Sequence, residues 1–416
     1  MTTTDNTDIR PFRLHIPDAA LADLHDRLDR TRWTDDSPPP GWNAGVPVGY
    51  LKELAGYWRS GFDWRAQEAE LNSYPQFTAS IDGQDVHFMH IRSPEPDATP
   101  LLLAHGYPTS SVEFLRIIRP LTDPRTHGGD PADAFHVVAP SIPGFGLSTP
   151  VTEAGWEMGR TANAFTELMR QLGYEQYGLH GGDIGAGVLG QLAARAADRV
   201  LGVHVTSDPG AVAATSEHMP LPEDLRDADR SRLGRLRATW EEQKGYLVLQ
   251  SNRPHTLAPG LSDSPVAQLA WIVDSFQLWT DPAAELPEDA VDRDQLLTNV
   301  SLYWFTHGGA SAARFLYTVA HSDMDWVGEP SVPLGWAVFN ADPVVRRVMD
   351  PAGQVEHWSD FDQGGHFPAM EVPDLLVTDI RRFFGRLTVS AAGAPRATTQ
   401  QAGQPVTQVT QVTQVT

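Results

Sequence analysis

The stretch from Gln176 to Ser207 constrains the fold more than any other part of this chain. It reads as strand Gln176–His180, a glycine-rich turn, helix Gly185–Ala197 and strand Leu201–Ser207. A helix between two such strands is the crossover that joins parallel neighbours in one sheet. The same rhythm surrounds it. Leu101–Ala104 and Phe135–Ala139 read as short buried strands, and Arg160–Leu172 as a helix. After a long interval Gly335–Asn340 resumes the strand pattern, Val355–Trp358 continues it, and Pro373 opens a last helix through Phe384. The class is therefore α/β, with a mostly parallel sheet flanked by helices.

The remaining segments attach to that sheet. Residues 1–95 form a preface. Asp18 caps a helical pattern with Leu21, Leu24 and Leu28 on one face, and the Ser37–Gly41 run of prolines breaks it. A second helical pattern spans Val48 to Tyr57. Trp33, Trp42, Trp58 and Trp64 crowd this region and are expected to cover a neighbouring surface. Gln76–Ile81 and Asp85–Ile91 flank Asp82-Gly83, a strong hairpin signal. The sheet portions are then 96–208 and 326–387, with a helical insertion at 209–325 and a low-complexity tail at 388–416 expected to be disordered.

Charge and composition narrow the functions. With 53 acidic and 31 basic residues the net charge is −22, which excludes general nucleic-acid binding. The chain has no cysteine, so a thiolate nucleophile and Cys-based zinc sites are out. No secretory signal pattern and no run long enough to span a bilayer is present, and a cytoplasmic protein is expected.

Three motifs carry the chemistry. Gly181-Gly182-Asp183-Ile184-Gly185 sits between a strand and a helix, the setting of a nucleophile elbow. A serine usually occupies the centre, whereas here it is Asp183. A carboxylate there forms an alkyl ester at an sp3 carbon bearing a leaving group. The competing reading is a tight turn in which Asp183 only caps the helix. A dinucleotide loop fits less well, because the glycines, Gly182 and Gly185 among them, miss the Gly-x-Gly-x-x-Gly spacing. His105-Gly106-Tyr107-Pro108 follows the strand Leu101–Ala104, and Pro108 fixes its turn. The Tyr107 and Ile184 N–H groups would form an oxyanion hole; a plain turn with a structural His105 is the alternative. Gly364-Gly365-His366-Phe367 lies late in the chain, where His366 can take a proton from water.

A histidine base needs a carboxylate partner. Asp342 is the first choice. It closes the strand Gly335–Asn340 at an Asp-Pro turn, 24 residues before His366. Asp208, at the end of Leu201–Ser207, is its rival. The helical insertion also holds Tyr246, Tyr303 and Tyr317, any of which could protonate a developing alkoxide or merely pack in a core.

Together these motifs, with the preface pattern Arg10-Pro11-Phe12 through Asp29–Trp33, resemble the microsomal-type epoxide hydrolases over residues 9–386. The juvenile-hormone hydrolases of insects belong to the same wider group. The resemblance implies an α/β-hydrolase fold with a helical cap and a wrapping preface. It implies nucleophile Asp183, base His366, acid Asp342 and two cap tyrosines on the epoxide oxygen. Tyr246, in Lys244-Gly245-Tyr246, matches the first tyrosine. Tyr317 is nearest to the second, although many relatives carry it one residue earlier, at Leu316. Ile184 and Tyr107 stand where many relatives have tryptophan. The implied reaction converts an epoxide and water to a vicinal diol through an Asp-alkyl ester, without metal or organic cofactor. The implied partners are a small apolar epoxide and water, with a homodimer as the assembly considered, in detoxification or natural-product synthesis. Two alternatives remain at this level. A dehalogenase on the same fold would release halide. A non-catalytic binding protein would be expected to have lost one of Asp183, Asp342 and His366.

Overall fold

The computed structural model describes residues 9–35, 41–217, 219–323 and 332–393, with side chains to 387. Among the described residues, nine strands form one sheet in the order β1-β2-β3-β5-β4-β6-β7-β8-β9. They are β1 (Ile9–Phe12), β2 (Gln76–Ile81), β3 (Gln84–Ile91), β4 (Thr99–Ala104), β5 (Phe135–Pro140), β6 (Tyr177–Gly181), β7 (Val200–Ser207), β8 (Leu334–Val338) and β9 (His357–Asp360). From β5 through β9 every pairing is parallel. The strands β1, β2 and β3 add antiparallel at one edge. Leu101 to Ala104 and all of β6 are buried, as expected for strands covered on both faces.

The preface is thus partly a piece of the sheet. Its Asp82-Gly83 turn has φ of +51° and +75°, the left-handed pair of a two-residue hairpin. Three helices, α1 (Asp18–Asp29), α2 (Val48–Ser60) and α3 (Trp64–Leu71), lie between β1 and β2. Helix α2 buries Leu51, Leu54, Ala55 and Trp58. Of the four tryptophans, Trp58 and Trp64 are buried, whereas Trp33 is exposed.

Helices α4 (Leu115–Thr122), α5 (Met158–Gln171) and α6 (Asp183–Arg195) belong to the sheet region. Among the described residues, a run of helices follows β7. It comprises α7 (Pro209–Ser216), α8 (Asp227–Gln243), α9 (Gly245–Asn252), α10 (Pro254–Asp263), α11 (Pro265–Trp279), α12 (Pro287–Ala290), α13 (Arg293–Phe305) and α14 (Gly308–Ala320). After β8 come α15 (Pro343–Met349), α16 (Pro368–Glu371) and α17 (Pro373–Gly393). The last helix continues nine residues beyond Phe384, into the segment expected as tail; the tail from 394 onward lies outside the described residues. Among the described residues, no helix is long and apolar enough to cross a membrane.

The preface grips the helical run. The Trp58 indole N–H donates to Ser301 Oγ of α13 at 2.9 Å. Tyr50 and Tyr57 hydroxyls donate to Glu288 and Asp294 at 2.6 and 2.8 Å. One large core joins α2, α5, α6, α11 and α13 to the sheet, and a second fills the space under α4 and α17.

Candidate active site

The parallel strands deliver the chemistry at their C-terminal ends, as open α/β sheets do. Strand β6 ends in Gly181, and Asp183 begins α6 with φ +51°, a conformation costly for a non-glycine residue. The turn is possible because its neighbours lack side chains. A Cβ on Gly185 would lie 2.0 Å from the Ala104 carbonyl oxygen, and one on Gly106 2.5 Å from Asp183 Cβ. Strand β4 and helix α6 therefore meet backbone to backbone. The loop after β4 brings the Tyr107 N–H to Asp183 Oδ1 at 2.8 Å. Burial alone would raise the Asp183 carboxyl. His366 and the N–H groups of Tyr107 and Ile184 outweigh it and hold the pKa below its ordinary value.

The motif residues around Asp183 have structural partners. His105 is fully buried; its Nδ1 lies 3.1 Å from the Gly106 carbonyl, and Nε2 accepts from Ile142 N–H at 3.1 Å. Burial lowers its pKa to about 4, so the ring is neutral. Pro108 follows Tyr107 through a cis peptide bond, and its carbonyl accepts from Asn299 Nδ2 of α13. Gly182 is the N-cap of α6.

His366 reaches the site from the loop after β9. That loop is tethered to the end of α11. His366 N–H donates to the Trp279 carbonyl at 2.8 Å, and Gly364 N–H to Asp281 Oδ2 at 2.8 Å. Glu371 accepts from the N–H groups of Asp281 and Phe367. The imidazole lies between two carboxylates. Its Nδ1 is 2.7 Å from Asp208 Oδ2 and its Nε2 is 3.5 Å from Asp183 Oδ2. Burial would lower the imidazole pKa, but Asp183 and Asp208 outweigh it and hold the pKa well above its ordinary value.

The carboxylate beside His366 is therefore Asp208, not Asp342. Both are N-caps. Asp208 Oδ1 accepts from Gly210 and Ala211 N–H at the start of α7, leaving Oδ2 for the histidine. Asp342 Oδ1 accepts from Val344 N–H at the start of α15 and lies 3.4 Å from Arg232. Strand order explains the difference. β7, which carries Asp208, is the direct neighbour of β6, and β8 is one strand farther out.

The tyrosines also separate. Tyr246 of α9 stacks parallel on Tyr107 with centroids 5.7 Å apart, and meets Trp279 edge-on at 5.0 Å. Burial and then the Asp183 charge raise its phenol well above the ordinary value, so it holds its proton. Tyr317 is 41% exposed and stacks on His321, on the outside of α14. Leu316 is the residue that α14 turns into the core. The structure does not bring Tyr317 to Asp183. Tyr303 is buried, with its hydroxyl donating to the Thr109 carbonyl at 3.0 Å.

Glu113 was not among the sequence candidates. It follows the His105–Pro108 turn by one short helical turn, and burial raises its carboxyl to about 7. Thr109 Oγ1 lies 2.5 Å from Glu113 Oε2 and 3.0 Å from the Gly106 carbonyl oxygen. One hydroxyl hydrogen cannot serve both acceptors well. A protonated Glu113 resolves this by donating to Thr109, which then donates to Gly106. The only sequence signal was a glutamate set between Val112 and Phe114.

Among the described residues, one cluster has metal-ligand composition: His204, His357 and Asp379, all buried beneath the sheet. Arg386 lies 3.3 Å from His357 Nδ1 and can only donate, so His357 Nε2 carries the proton that goes to Asp379 at 2.9 Å. His204 Nε2 meets the other Asp379 oxygen at 3.0 Å. Burial opposes ionisation of Asp379, yet these histidines outweigh it and hold the carboxyl low. The pattern is a hydrogen-bond network that ties α17 to β7 and β9.

Known proteins resemble this chain in sequence and fold. Residues 9–114 match the family model described as epoxide hydrolase N terminus, and residues 99–250 match the alpha/beta hydrolase fold. A Stigmatella aurantiaca relative is 40% identical, covering 91% of this chain and 85% of its own. Epoxide hydrolase 1 of Sus scrofa is 33% identical over 92% of this chain and 90% of its own. The Aspergillus niger epoxide hydrolase structure is similar with a TM-score of 0.76 and 30% identity, covering 92% of this chain and 97% of that one. With this architecture and these relatives, the chain belongs to the epoxide hydrolase family of the α/β-hydrolase fold.

Proposed function

We propose that Asp183, His366, Asp208 and Tyr246 carry out epoxide hydrolysis in this chain. The observation that carries the reading is the position of His366, between the elbow carboxylate at 3.5 Å and Asp208 at 2.7 Å. Asp183 Oδ1 accepts from the Tyr107 N–H, which leaves Oδ2 to attack a ring carbon. The carbon–oxygen bond of the epoxide breaks, and the Tyr246 phenol protonates the departing oxygen. The product of this step is an ester between Asp183 and the substrate, carrying a new hydroxyl.

Esterification changes the electrostatics of the site. Two carboxylates hold His366 protonated at rest. Once Asp183 is an ester, one negative charge is gone, and the imidazolium can return a proton to the Tyr246 phenolate. The neutral imidazole, oriented by Asp208, then takes a proton from water as that water attacks Asp183 Cγ. Negative charge gathers on Oδ1, where the Tyr107 N–H already points, with the Ile184 N–H on the same carboxyl. The Cγ–Oδ2 bond breaks, His366 protonates the leaving oxygen, and a vicinal diol departs. The site needs no second cap phenol at Tyr317 for these steps to balance. Helices α7 to α14 serve as the cap over this chemistry. The lack of cysteine agrees with a cytoplasmic setting.

Asp183→Asn and Asp183→Ala test the reading. With racemic styrene oxide, both variants are expected to lose about 10⁴-fold or more in diol formation. Diol formation at the rate of the unmodified enzyme in both variants would remove Asp183 from the mechanism.

A further inference from the structure

The Tyr107 N–H that faces Asp183 belongs to the peptide unit shared with Gly106. That unit is planar, so the direction of its carbonyl sets the direction of its N–H. Gly106 cannot fix it alone. A Cβ there would lie 2.5 Å from Asp183 Cβ, so the position needs glycine, and glycine leaves the backbone free to turn. Hydrogen bonds fix the carbonyl instead. It accepts from the Thr109 N–H at 3.1 Å and the Thr109 hydroxyl at 3.0 Å, and His105 Nδ1 lies 3.1 Å away. These donors all belong to the loop itself. The next carbonyls of the loop are tied from outside it. Asn299 Nδ2 of α13 donates to the Pro108 carbonyl at 2.8 Å, and the Tyr303 hydroxyl to the Thr109 carbonyl at 3.0 Å. For the Gly106 carbonyl the outside tether is Glu113, in the helical turn Ser111–Phe114. Its Oε2 lies 2.5 Å from Thr109 Oγ1. Burial favours its neutral form, which donates to Thr109 and leaves the hydroxyl hydrogen for Gly106.

We propose that Glu113 is a positioning residue: through Thr109 it holds the Gly106–Tyr107 peptide, so that the Tyr107 N–H stays aimed at Asp183 Oδ1 while that oxygen takes up negative charge. This rests on the epoxide hydrolase reading and adds a residue to its machinery. The two chemical steps make different demands on this N–H. Ester formation draws charge away from the Asp183 carboxylate. Attack of water on the ester concentrates charge on Oδ1, where the donors that face it count most. A loosened peptide therefore slows hydrolysis of the ester more than its formation. The donor is loosened and not deleted, so the loss is smaller than for an oxyanion donor removed outright.

Glu113→Ala and Thr109→Val each cut the tether. With styrene oxide, each is expected to lower kcat about tenfold or more. The ratio kcat/KM, which reports ester formation, should stay within about threefold, because KM falls together with kcat. The Asp183 ester should then accumulate during turnover, seen as one added substrate mass on the intact protein. Glu113→Gln keeps a neutral donor at the same reach and should return kcat to within about threefold of the unmodified enzyme. Thermal melts establish which variants fold, and either Glu113→Ala or Thr109→Val suffices for the comparison. An unchanged kcat in a folded tether variant overturns the positioning role. So does an equal fall of kcat and kcat/KM with no ester accumulating, and so does a folded Glu113→Gln as slow as Glu113→Ala. No diol from the unmodified enzyme overturns the hydrolase reading itself, and the positioning role with it.

Discussion

Asp208 and Asp342 have nearly the same local sequence. Each follows a strand, each precedes proline, and each caps the next helix with its own Oδ1. Only Asp208 spends its second oxygen on His366. The functional difference therefore lies in one oxygen atom and its direction, which the local pattern does not encode. Replacing Asp208 with Ala should lower kcat for styrene oxide about a thousandfold or more, because the imidazole loses its orientation and its charge partner. Asp342→Ala should leave kcat within about twofold. It should cost about 1 kcal/mol of stability through the lost cap of α15, read by a denaturant titration. Equal losses of activity in the two variants would contradict the assignment of Asp208. Glu113 belongs to the same scale: burial pushes both carboxyls up, and only Asp183 has His366 and two backbone N–H groups to draw it back down.

Elements decide which tyrosine serves. Consecutive helix residues point about 100° apart, so a shift of one position moves a side chain from the pocket to solvent. Helix α14 starts at Gly308, after His307 in a left-handed conformation, and this phase puts Leu316 inside and Tyr317 outside. Tyr246→Phe should lower kcat about a hundredfold, whereas Tyr317→Phe should remain within about twofold. Steady-state kinetics on one epoxide checks both, and a large loss in Tyr317→Phe would contradict the single cap phenol. The elbow, the His105–Pro108 turn and the His366 loop were legible in the sequence because each ties unusual residues to a backbone need. The Asp183 turn needs Gly185 against the Ala104 carbonyl, for example. The pairing of Asp208 with His366 and the outward phase of Tyr317 were not legible, because strand order and helix phase decide between residues with equivalent local sequence.

At the scale of the molecule, the sheet brings residues 107, 183, 208 and 366 to one edge, and the cap lowers Tyr246 onto them. The hairpin of the preface was legible from Asp82-Gly83, but its membership in the main sheet was not. That depends on β3 pairing with β5, a contact between segments about fifty residues apart. The preface then reaches past the sheet to hold the cap through Trp58 and Ser301. The surface charge of −22 is compatible with a neutral substrate, which needs no electrostatic steering. All these parts converge on one claim, that the substrate becomes covalently bound to Asp183. A single turnover with enzyme in excess, run in water enriched in heavy oxygen, tests this directly by mass spectrometry. The account predicts heavy oxygen in the peptide containing Asp183 and an unlabelled diol. Heavy oxygen in the diol, with none in that peptide, would contradict it.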